Sequence, residues 1–255
     1  MPTIDTMNIL RPNTHSSEPV RILEGSALEG QEKYFCDESR RQGTASALAF
    51  PTTTEQVVQA ILRARQDGLR VTASGARTGI AAGAVPSGGM VVSLERMTAI
   101  CGLRSVGGTI RVRCQCGVLL SDLQDSVRTG AFADSATWDE ASLAALEMLK
   151  EQRLFYPPDP TEMGAAIGGT VACNASGAHT FLYGATRPHV TALTVVLMDG
   201  RVLEIERGST RADAQGRFGL GAVDGSVRWC QIPTYTWPDT KNAAGYYTAP
   251  DLDLI

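Results

Sequence analysis

The chain has few histidines, no cluster of basic residues and no long apolar run, and each shortage excludes a class of function. Its 255 residues include only 3 histidines, whose spacing fits no zinc site. Lysine and arginine are scattered through a chain of net charge −4, which argues against a nucleic-acid partner. The apolar runs are too short and interrupted to cross a bilayer. We therefore expect no metal, no nucleic-acid partner and no transmembrane segment.

The N-terminal residues also lack the features of an export signal. Residues 1–19 contain no apolar core behind a basic start, so they do not predict a signal peptide. Without export, the six cysteines are expected to be free thiols, and the protein is expected in the cytoplasm. Residues 1–33 are predicted to form a weakly ordered arm, with order beginning near Tyr34.

No standard nucleotide-binding motif is present. The chain lacks G-x-x-x-x-G-K-[ST], which disfavours a P-loop ATPase, and its G-A-R-T-G stretch departs from G-x-G-x-x-G. Two runs of small residues stand out instead. The first glycine segment is SGARTGIAAGAVPSGG, residues 74–89. The second glycine segment, residues 156–184, carries a double proline, a Gly-Gly pair and an Asn-Ala-Ser-Gly run. Such runs suit a backbone that approaches a flat or phosphorylated ligand closely.

Each glycine segment also has a purely structural interpretation. Residues 74–79 offer consecutive backbone N–H groups that can cradle a pyrophosphate, with hydroxyls from Ser74 and Thr78 and a charge from Arg77. The same residues fit a simple glycine-rich turn. A helix start at residues 167–171 can direct N–H groups at an anion, or can merely pack closely against a sheet. Two such segments suggest one extended cofactor held at two points.

The rest of the pattern predicts a mixture of helices and strands. A helix capped by Thr53 or Thr54 should end at Gly68, which suits a left-handed terminator. A capping box from Thr137 to Glu140 should start a later helix. The other predicted helices are residues 121–127 and 141–150. The predicted strands are residues 69–73, 90–94 and 109–114, with a hairpin of residues 191–198 and 201–205 around Asp199-Gly200.

Together the two glycine segments resemble the FAD-binding domain of the vanillyl-alcohol oxidase superfamily, also called the PCMH-type domain. Residues 73–86 follow the family pattern P-x-G-G-G-T-G-L-x-G-G-A-V-P, and residues 155–200 follow fpPDP…IGGnvatNagG…YG…V…vVl.dG. Tyr34-x-x-Asp37 and Pro51-x-x-x-Glu55-x-Val57 also match. The resemblance runs from about residue 34 to the end. Within the superfamily, the sequence is most similar to the glycolate oxidase and D-lactate dehydrogenase branch.

The resemblance implies an α+β fold made of two α/β subdomains. One would contain a small parallel or mixed sheet, and the other a larger antiparallel-rich sheet with flanking helices. The implied organisation is an arm over residues 1–33, the FAD-binding domain over residues 34–225, and over residues 226–255 the start of the connection to a missing C-terminal part.

Carried over by position, the resemblance also implies the cofactor-binding residues. Those expected at the pyrophosphate are Ser74, Gly75, Ala76, Arg77, Thr78 and Gly79. Those expected along the ribityl chain and the isoalloxazine ring are Pro158, Ala165, Gly168, Gly169, Asn174 and Gly177. Ala76 and Arg77 replace family glycines. Members with covalent flavin often carry histidine where Arg77 stands, so FAD should be held noncovalently. Cys173 is expected to be a small buried hydrophobe rather than a flavin link.

The implied function is the FAD-binding portion of an oxidoreductase that acts on a 2-hydroxy acid such as glycolate or D-lactate, with hydride transfer to flavin N5. No side chain is a convincing general base, and His189 is expected at the flavin edge or the surface. Lys241–Tyr246 resembles the K-x-x-x-G-Y that precedes a G-S-E-G-T-L-G-type segment and a substrate domain, both expected to be missing. The alternative is an FAD-binding subunit or remnant, inactive until a partner chain completes it. An electron-transfer protein is a second possible partner.

Overall fold

The computed structural model of the protein describes residues 18–152, 154–159, 161–233, 236 and 252–255. These residues form an α+β fold with one mixed sheet, three antiparallel hairpins and five α-helices. The strands are β1 Arg21–Glu24, β2 Ala47–Phe50, β3 Val71–Ser74, β4 Met90–Ser93, β5 Ile100–Val106, β6 Thr109–Cys114, β7 Ala192–Val196, β8 Val202–Glu206, β9 Arg217–Gly221 and β10 Val227–Gln231. The helices are α1 Thr54–Gln66, α2 Leu120–Thr129, α3 Glu140–Glu151, α4 Ile167–Ala172 and α5 Thr180–Tyr183.

None of the helices in the described part of the chain is long and apolar enough to span a bilayer.

The mixed sheet has the strand order β1-β2-β4-β3. β2, β4 and β3 run parallel, and β1 pairs antiparallel with β2, with Arg21 opposite Phe50. The expectation that order begins near Tyr34 is therefore wrong. The polar composition of residues 1–33 suggested an arm, but Ile22 and Leu23 of β1 place apolar side chains against the two faces of the sheet. The preceding residues 1–17 lie outside the described part of the chain.

Helix α1 covers one face of this sheet. Thr53 caps it by accepting a hydrogen bond from the Gln56 amide, and Gly68 follows its end at φ +65°, as predicted. Ala60 and Ala64 are fully buried against Met90 of β4. Successive residues of a strand point to opposite faces of its sheet. Val91, which follows Met90 in β4, therefore packs on the other face, with Tyr34 and Phe35. Small alanines let the helix approach the sheet closely.

The first glycine segment is the connection between β3 and β4. These strands are parallel neighbours, so the chain must travel back along the whole length of the sheet after leaving β3. It does so without a helix, through residues 75–89. The returning half is held by residue 44, whose amide donates to the Pro86 carbonyl and whose carbonyl accepts from the Gly88 amide. The predicted strands on either side are confirmed, with bounds shifted by one or two residues.

The β5–β6 hairpin and helices α2 and α3 form a second core. Its fully buried centre includes Leu103, and the Trp138 indole N–H donates to the Ile100 carbonyl at 3.0 Å. The remaining buried members are Val118, Leu123, Val127, Phe132, Ala145, Leu146 and Leu149. The two helices and strand β6 occur where their periodicity predicted them. This core supports the second glycine segment.

The other two hairpins are β7–β8 and β9–β10. The first turns at Asp199-Gly200, as predicted, and packs Leu203 and Ile205 against Ile255. The fold class is confirmed by this mixture of mixed and antiparallel strands. Within the described residues, however, the antiparallel strands make three separate two-stranded sheets rather than one larger sheet, because no hydrogen-bonded ladder joins them. The Lys241–Tyr246 motif lies outside the described residues.

Helix α3 begins differently from the prediction. Its cap is Asp139, which accepts from the Ser142 amide at 2.8 Å, and not Thr137, which lies in a preceding 3₁₀ turn. The Asp139 carboxylate also pairs with the Arg104 guanidinium at 2.6 and 3.0 Å. Burial favours the neutral acid, but these hydrogen bonds outweigh it and lower the pKa of Asp139. Capping motifs involve only residues that are close in sequence, so they do not reveal that Arg104 on β5 pairs with Asp139.

We predict that Asp139→Ala lowers the free energy of unfolding by about 1–2 kcal/mol, as expected for a lost cap. Asp122→Ala, at an exposed aspartate in the first turn of α2, is the matched control and should change it little. Because the folded pKa of Asp139 is depressed, its contribution is present above about pH 4 and is lost as the pH falls through the folded pKa. Urea unfolding at pH 7 and at pH 3 measures both effects. A difference between wild type and Asp139→Ala that grows on acidification would contradict this role.

Candidate functional site

The two glycine segments meet at Gly75 and Ala166. A Cβ atom built on Gly75 would lie 3.1 Å from the Ala166 Cβ, which is closer than side chains ordinarily pack. Gly75 follows the carboxyl end of β3, and Ala166 caps the start of α4. Parallel sheets bind ligands outside the carboxyl ends of their strands. The structure therefore brings Gly75 and Ala166, which are 91 positions apart in the sequence, to one place, at the edge where a ligand is expected.

The second segment is held in place by the start of α2 and the turn before it. The Leu120 amide donates to the Ala165 carbonyl at 2.9 Å, and the Ser121 amide donates to the Met163 carbonyl at 2.9 Å. In return, the Ile167 amide donates to the Val118 carbonyl at 2.8 Å. Ala165 and Ala166 are both buried. These backbone bonds fix the start of α4 on the second core, whatever side chains surround it.

Gly168 is required by this packing. A Cβ atom there would lie 2.6 Å from the Cys116 Cβ and 3.0 Å from the Cys116 carbonyl oxygen. The Gly168 amide itself donates to that carbonyl at 2.8 Å. The sequence left open whether the first amides of α4 face a ligand. Those of Ile167 and Gly168 are already satisfied by residues 116–118, whereas the exposed Gly169 amide donates to no described residue.

The first segment presents a row of free amides. Among the described residues, none accepts a hydrogen bond from the backbone N–H groups of residues 75–79. Three buried side-chain oxygens of the described residues also lack a partner: the Ser74 and Ser93 hydroxyls and one Asp37 carboxylate oxygen. Ser74 and Ser93 are register partners at the ends of β3 and β4. Unpaired backbone N–H groups in a glycine-rich turn are donors of the kind that can bind an anion, and the Ser74 hydroxyl lies at the start of this turn.

Arg77 has a left-handed backbone, at φ +63°, a conformation that favours glycine. Its side chain folds back onto the protein. One nitrogen, Nη1, donates to the Gly75 carbonyl at 3.0 Å, and Nη2 lies 3.4 Å from Glu95 Oε2. The guanidinium lies 4.8 Å from the Tyr34 ring centroid. The Arg77 charge is thus paired within the protein, although the sequence suggested it as a charge for phosphate.

Tyr34 completes this contact, and its hydroxyl donates to Glu95 Oε1 at 2.5 Å. Burial and the neighbouring Glu95 carboxylate raise the pKa of Tyr34 to about 12. Tyr34 was part of the resemblance, but Glu95 was not identified from the sequence. It follows β4 and lies 61 residues from Tyr34 along the chain, so no local pattern connects them.

The remaining predicted site residues lie along the second segment. Pro158 is buried. Asn174, at φ +44°, is exposed, and its side-chain oxygen accepts from the Arg187 amide at 2.9 Å. The Gly177 amide donates to the Thr180 hydroxyl at 2.7 Å. Asn174 and Gly177 therefore form hydrogen bonds to residues that are near them in sequence. The two glycine segments contact each other at Gly75 and Ala166. The predicted burial of Cys173 is wrong: it is exposed, at the C-terminal end of α4.

Two histidines and two aromatic rings lie within or directly beside the second segment. His179 Nδ1 lies 3.7 Å from Asp159 Oδ2, and the His189 Nε2 lies 2.9 Å from the Tyr183 carbonyl. The Tyr183 ring packs against Phe155, with centroids 5.3 Å apart. The sequence placed His189 at a flavin edge or the surface. Its hydrogen bond to a backbone carbonyl is an ordinary structural contact and does not single it out as a base.

All six cysteines are free thiols. Burial, together with the neighbouring Cys101 and Cys116, raises the pKa of Cys114 to about 12. Burial also raises the pKa of Cys116. These two thiols stay protonated near neutral pH.

Comparison with known families gives one match, to a family described as FAD binding domain, over residues 45–148 and 143–206. Among curated proteins, the D-lactate dehydrogenase of Anaerostipes hadrus is 34% identical over 79% of this chain and 37% of its own length. The D-2-hydroxyglutarate dehydrogenase of Xanthomonas citri pv. viticola is 33% identical over 68% of this chain and 32% of its own. The glycolate oxidase subunit GlcD of Escherichia coli K12 is 28% identical over 92% and 42%. The chain spans well under half of each relative.

Solved structures show the same fold at low identity. The 6-hydroxy-D-nicotine oxidase of Arthrobacter nicotinovorans superimposes with a TM-score of 0.55 at 17% identity, over 73% of this chain and 36% of that protein. The glucooligosaccharide oxidase of Acremonium strictum, described with a 6-S-cysteinyl, 8α-N1-histidyl FAD, gives 0.54 at 20% identity, over 73% and 34%.

We predict opposite effects of alanine at the adjacent glycines of α4. Gly168→Ala should lower the free energy of unfolding by about 1–3 kcal/mol, because the methyl group overlaps Cys116. Gly169→Ala is the matched control. Nothing lies within 4 Å of a Cβ atom there, so the better helix propensity of alanine should leave stability unchanged or raise it by up to about 1 kcal/mol. Urea unfolding of the protein without added cofactor measures both. An equal decrease in the free energy of unfolding in both variants would contradict the close contact between Gly168 and Cys116.

Proposed function

This chain belongs to the FAD binding domain family, and from that membership we propose that it binds FAD where its two glycine segments meet. The observation that carries the proposal is the contact between Gly75 and Ala166, which places the free amides of residues 75–79 beside the start of α4. We propose further that the chain is the FAD-binding portion of a flavin-dependent oxidoreductase acting on 2-hydroxy acids.

The residues at this place fit such a cofactor. A pyrophosphate needs hydrogen-bond donors, and residues 75–79 supply amides while Ser74 supplies a buried hydroxyl without a partner. Small residues on the second segment, Ala165 and Gly169 among them, leave room for a ribityl chain and a flat ring. Gly168 contributes indirectly, by letting α4 lie against Cys116.

FAD, when bound, supplies the hydride acceptor that oxidation of a CH–OH group needs. The named activities of the relatives concern D-lactate, D-2-hydroxyglutarate and glycolate, which share a hydroxyl on the carbon next to a carboxylate. The part of this chain is to bind and orient the cofactor. Among the described residues we assign no general base.

We propose noncovalent attachment. Of the described histidines, His179 lies on the second segment and His189 follows it, so neither lies on residues 74–79, and Arg77 is held by Glu95 and Tyr34. We also propose the cytoplasm as the location, because six free thiols fit a reducing compartment.

A second candidate is an FAD-binding subunit that is inactive until a partner chain completes the site. Two observations favour it: the chain spans 37% of the D-lactate dehydrogenase and 42% of GlcD, and GlcD is itself named as a subunit. An electron-transfer protein is the other partner we propose, as the acceptor of the reducing equivalents.

Reconstitution of the purified chain with FAD tests both proposals. Flavin absorbance after desalting and quenching of flavin fluorescence report binding, and reduction of a dye by glycolate, D-lactate or D-2-hydroxyglutarate reports activity. A yellow protein that reduces the dye supports the oxidoreductase. A yellow protein that is inert, and gains activity with a second polypeptide, supports the subunit. A protein that stays colourless would contradict both proposals, because each requires bound FAD.

We predict that Ser74→Ala separates stability from binding. Removing a buried hydroxyl without a partner should leave the free energy of unfolding unchanged or raise it by up to about 1 kcal/mol, while FAD affinity falls about tenfold through the lost charge-assisted bond. Ser93→Ala is the matched control, equally buried and equally unpaired, and should keep the affinity. Fluorescence titration and urea unfolding give the two quantities. Unchanged FAD affinity in Ser74→Ala would remove this hydroxyl from the site.

A further inference from the structure

The backbone at Arg77 needs an explanation, because an arginine occupies a conformation that glycine adopts more readily. The residue sits in the middle of the free amides of residues 75–79, at φ +63°. Its carbonyl accepts a hydrogen bond from the Glu38 amide at 3.2 Å, so the backbone is also tied to the chain that follows Tyr34. A glycine here would make the loop flexible, whereas a restrained arginine fixes its shape.

The restraint comes from contacts on three sides of the guanidinium. Glu95 Oε2 lies 3.4 Å from one nitrogen, the Gly75 carbonyl accepts from the other at 3.0 Å, and the Tyr34 ring lies beneath at 4.8 Å. Tyr34 in turn donates to the second oxygen of Glu95. The Arg77 side chain is 18% exposed and that of Glu95 31%, so the pair is partly buried. Tyr34 is buried at 4% exposure.

We propose that Glu95 and Tyr34 are positioning residues, which hold Arg77 and thereby fix the amides of residues 75–79 in the arrangement that binds a pyrophosphate. The inference rests on the proposed function for its ligand, but the restraint itself is present in the protein without cofactor. A preformed loop does not have to be ordered on binding, so the restraint increases affinity without touching the ligand. We name the set Tyr34, Glu95 and Arg77 the arginine latch.

Simple electrostatics leads to the opposite expectation. If Arg77 served as a phosphate ligand, Glu95 would compete with the phosphate for it, and removing the carboxylate would tighten FAD binding. The latch requires the reverse, because freeing Arg77 loosens the loop. The sign of the effect of Glu95→Gln on FAD affinity therefore distinguishes the two roles.

We predict that Glu95→Gln weakens FAD binding about tenfold, the cost of ordering one or two loop residues on binding. Tyr34→Phe, which keeps the ring and loses the hydroxyl, should weaken it less. In the Arg77→Gly background, Glu95→Gln should change the affinity less than twofold, since no latch remains to break. Glu24→Gln is the matched control, because it removes a carboxylate of β1, in the same mixed sheet, that lies 3.3 Å from Arg63 of α1. Fluorescence titration gives each dissociation constant, and urea unfolding shows whether each variant remains folded.

Trypsin cleavage after Arg77 tests the latch without FAD. The latched side chain is withheld from the protease, so Glu95→Gln should speed cleavage at this bond at least severalfold, relative to the exposed Arg128, while Glu24→Gln should not. Faster cleavage in a protein that binds no FAD would uphold the latch and remove the proposed function. Tighter FAD binding in Glu95→Gln, an equal effect of Glu95→Gln in both backgrounds, or unchanged cleavage would overturn the latch and leave the proposed function standing.

Discussion

The parallel pairing of β3 with β4 is the constraint on which the site depends. Two neighbouring parallel strands cannot be joined by a tight turn, so the chain needs a long connection between them, and here residues 75–89 supply it without a helix. The amides of residues 75–79, in the first part of this connection, have no partner among the described residues. The connection starts at the carboxyl end of β3, where Gly75 lies beside Ala166. Strand order in the small sheet thus produces the free donors.

The second core has a different task, which is to hold the start of α4 at a fixed distance from that connection. Backbone bonds from Leu120, Ser121 and Ile167 attach the second segment to the start of α2. Gly168 removes the side chain that would hold α4 away from Cys116. Each core can therefore be altered in its side chains while the approach of the two segments is kept, because backbone atoms make most of the contacts that define it.

Features set by neighbouring residues could be predicted from the sequence, and those set by distant partners could not. The Thr53 cap, the left-handed Gly68 and the Asp199-Gly200 hairpin follow from a few adjacent residues each, and all are confirmed. The cap of α3 is Asp139 instead of the predicted Thr137, since Arg104 on strand β5 helps to select Asp139. Likewise, the two glycine segments could be found from composition, whereas the role of Glu95 depends on a tyrosine 61 residues away.

The close packing of α4 on the turn before α2 also separates cysteines at the two ends of this helix. Burial there keeps the Cys114 and Cys116 thiols protonated, and thiols react with oxidants and alkylating reagents mainly as thiolates. Cys173, at the far end of the same short helix, is the one exposed cysteine of the six. The fold thereby leaves its most exposed thiol beside the candidate site, where a spectroscopic label would report on that site.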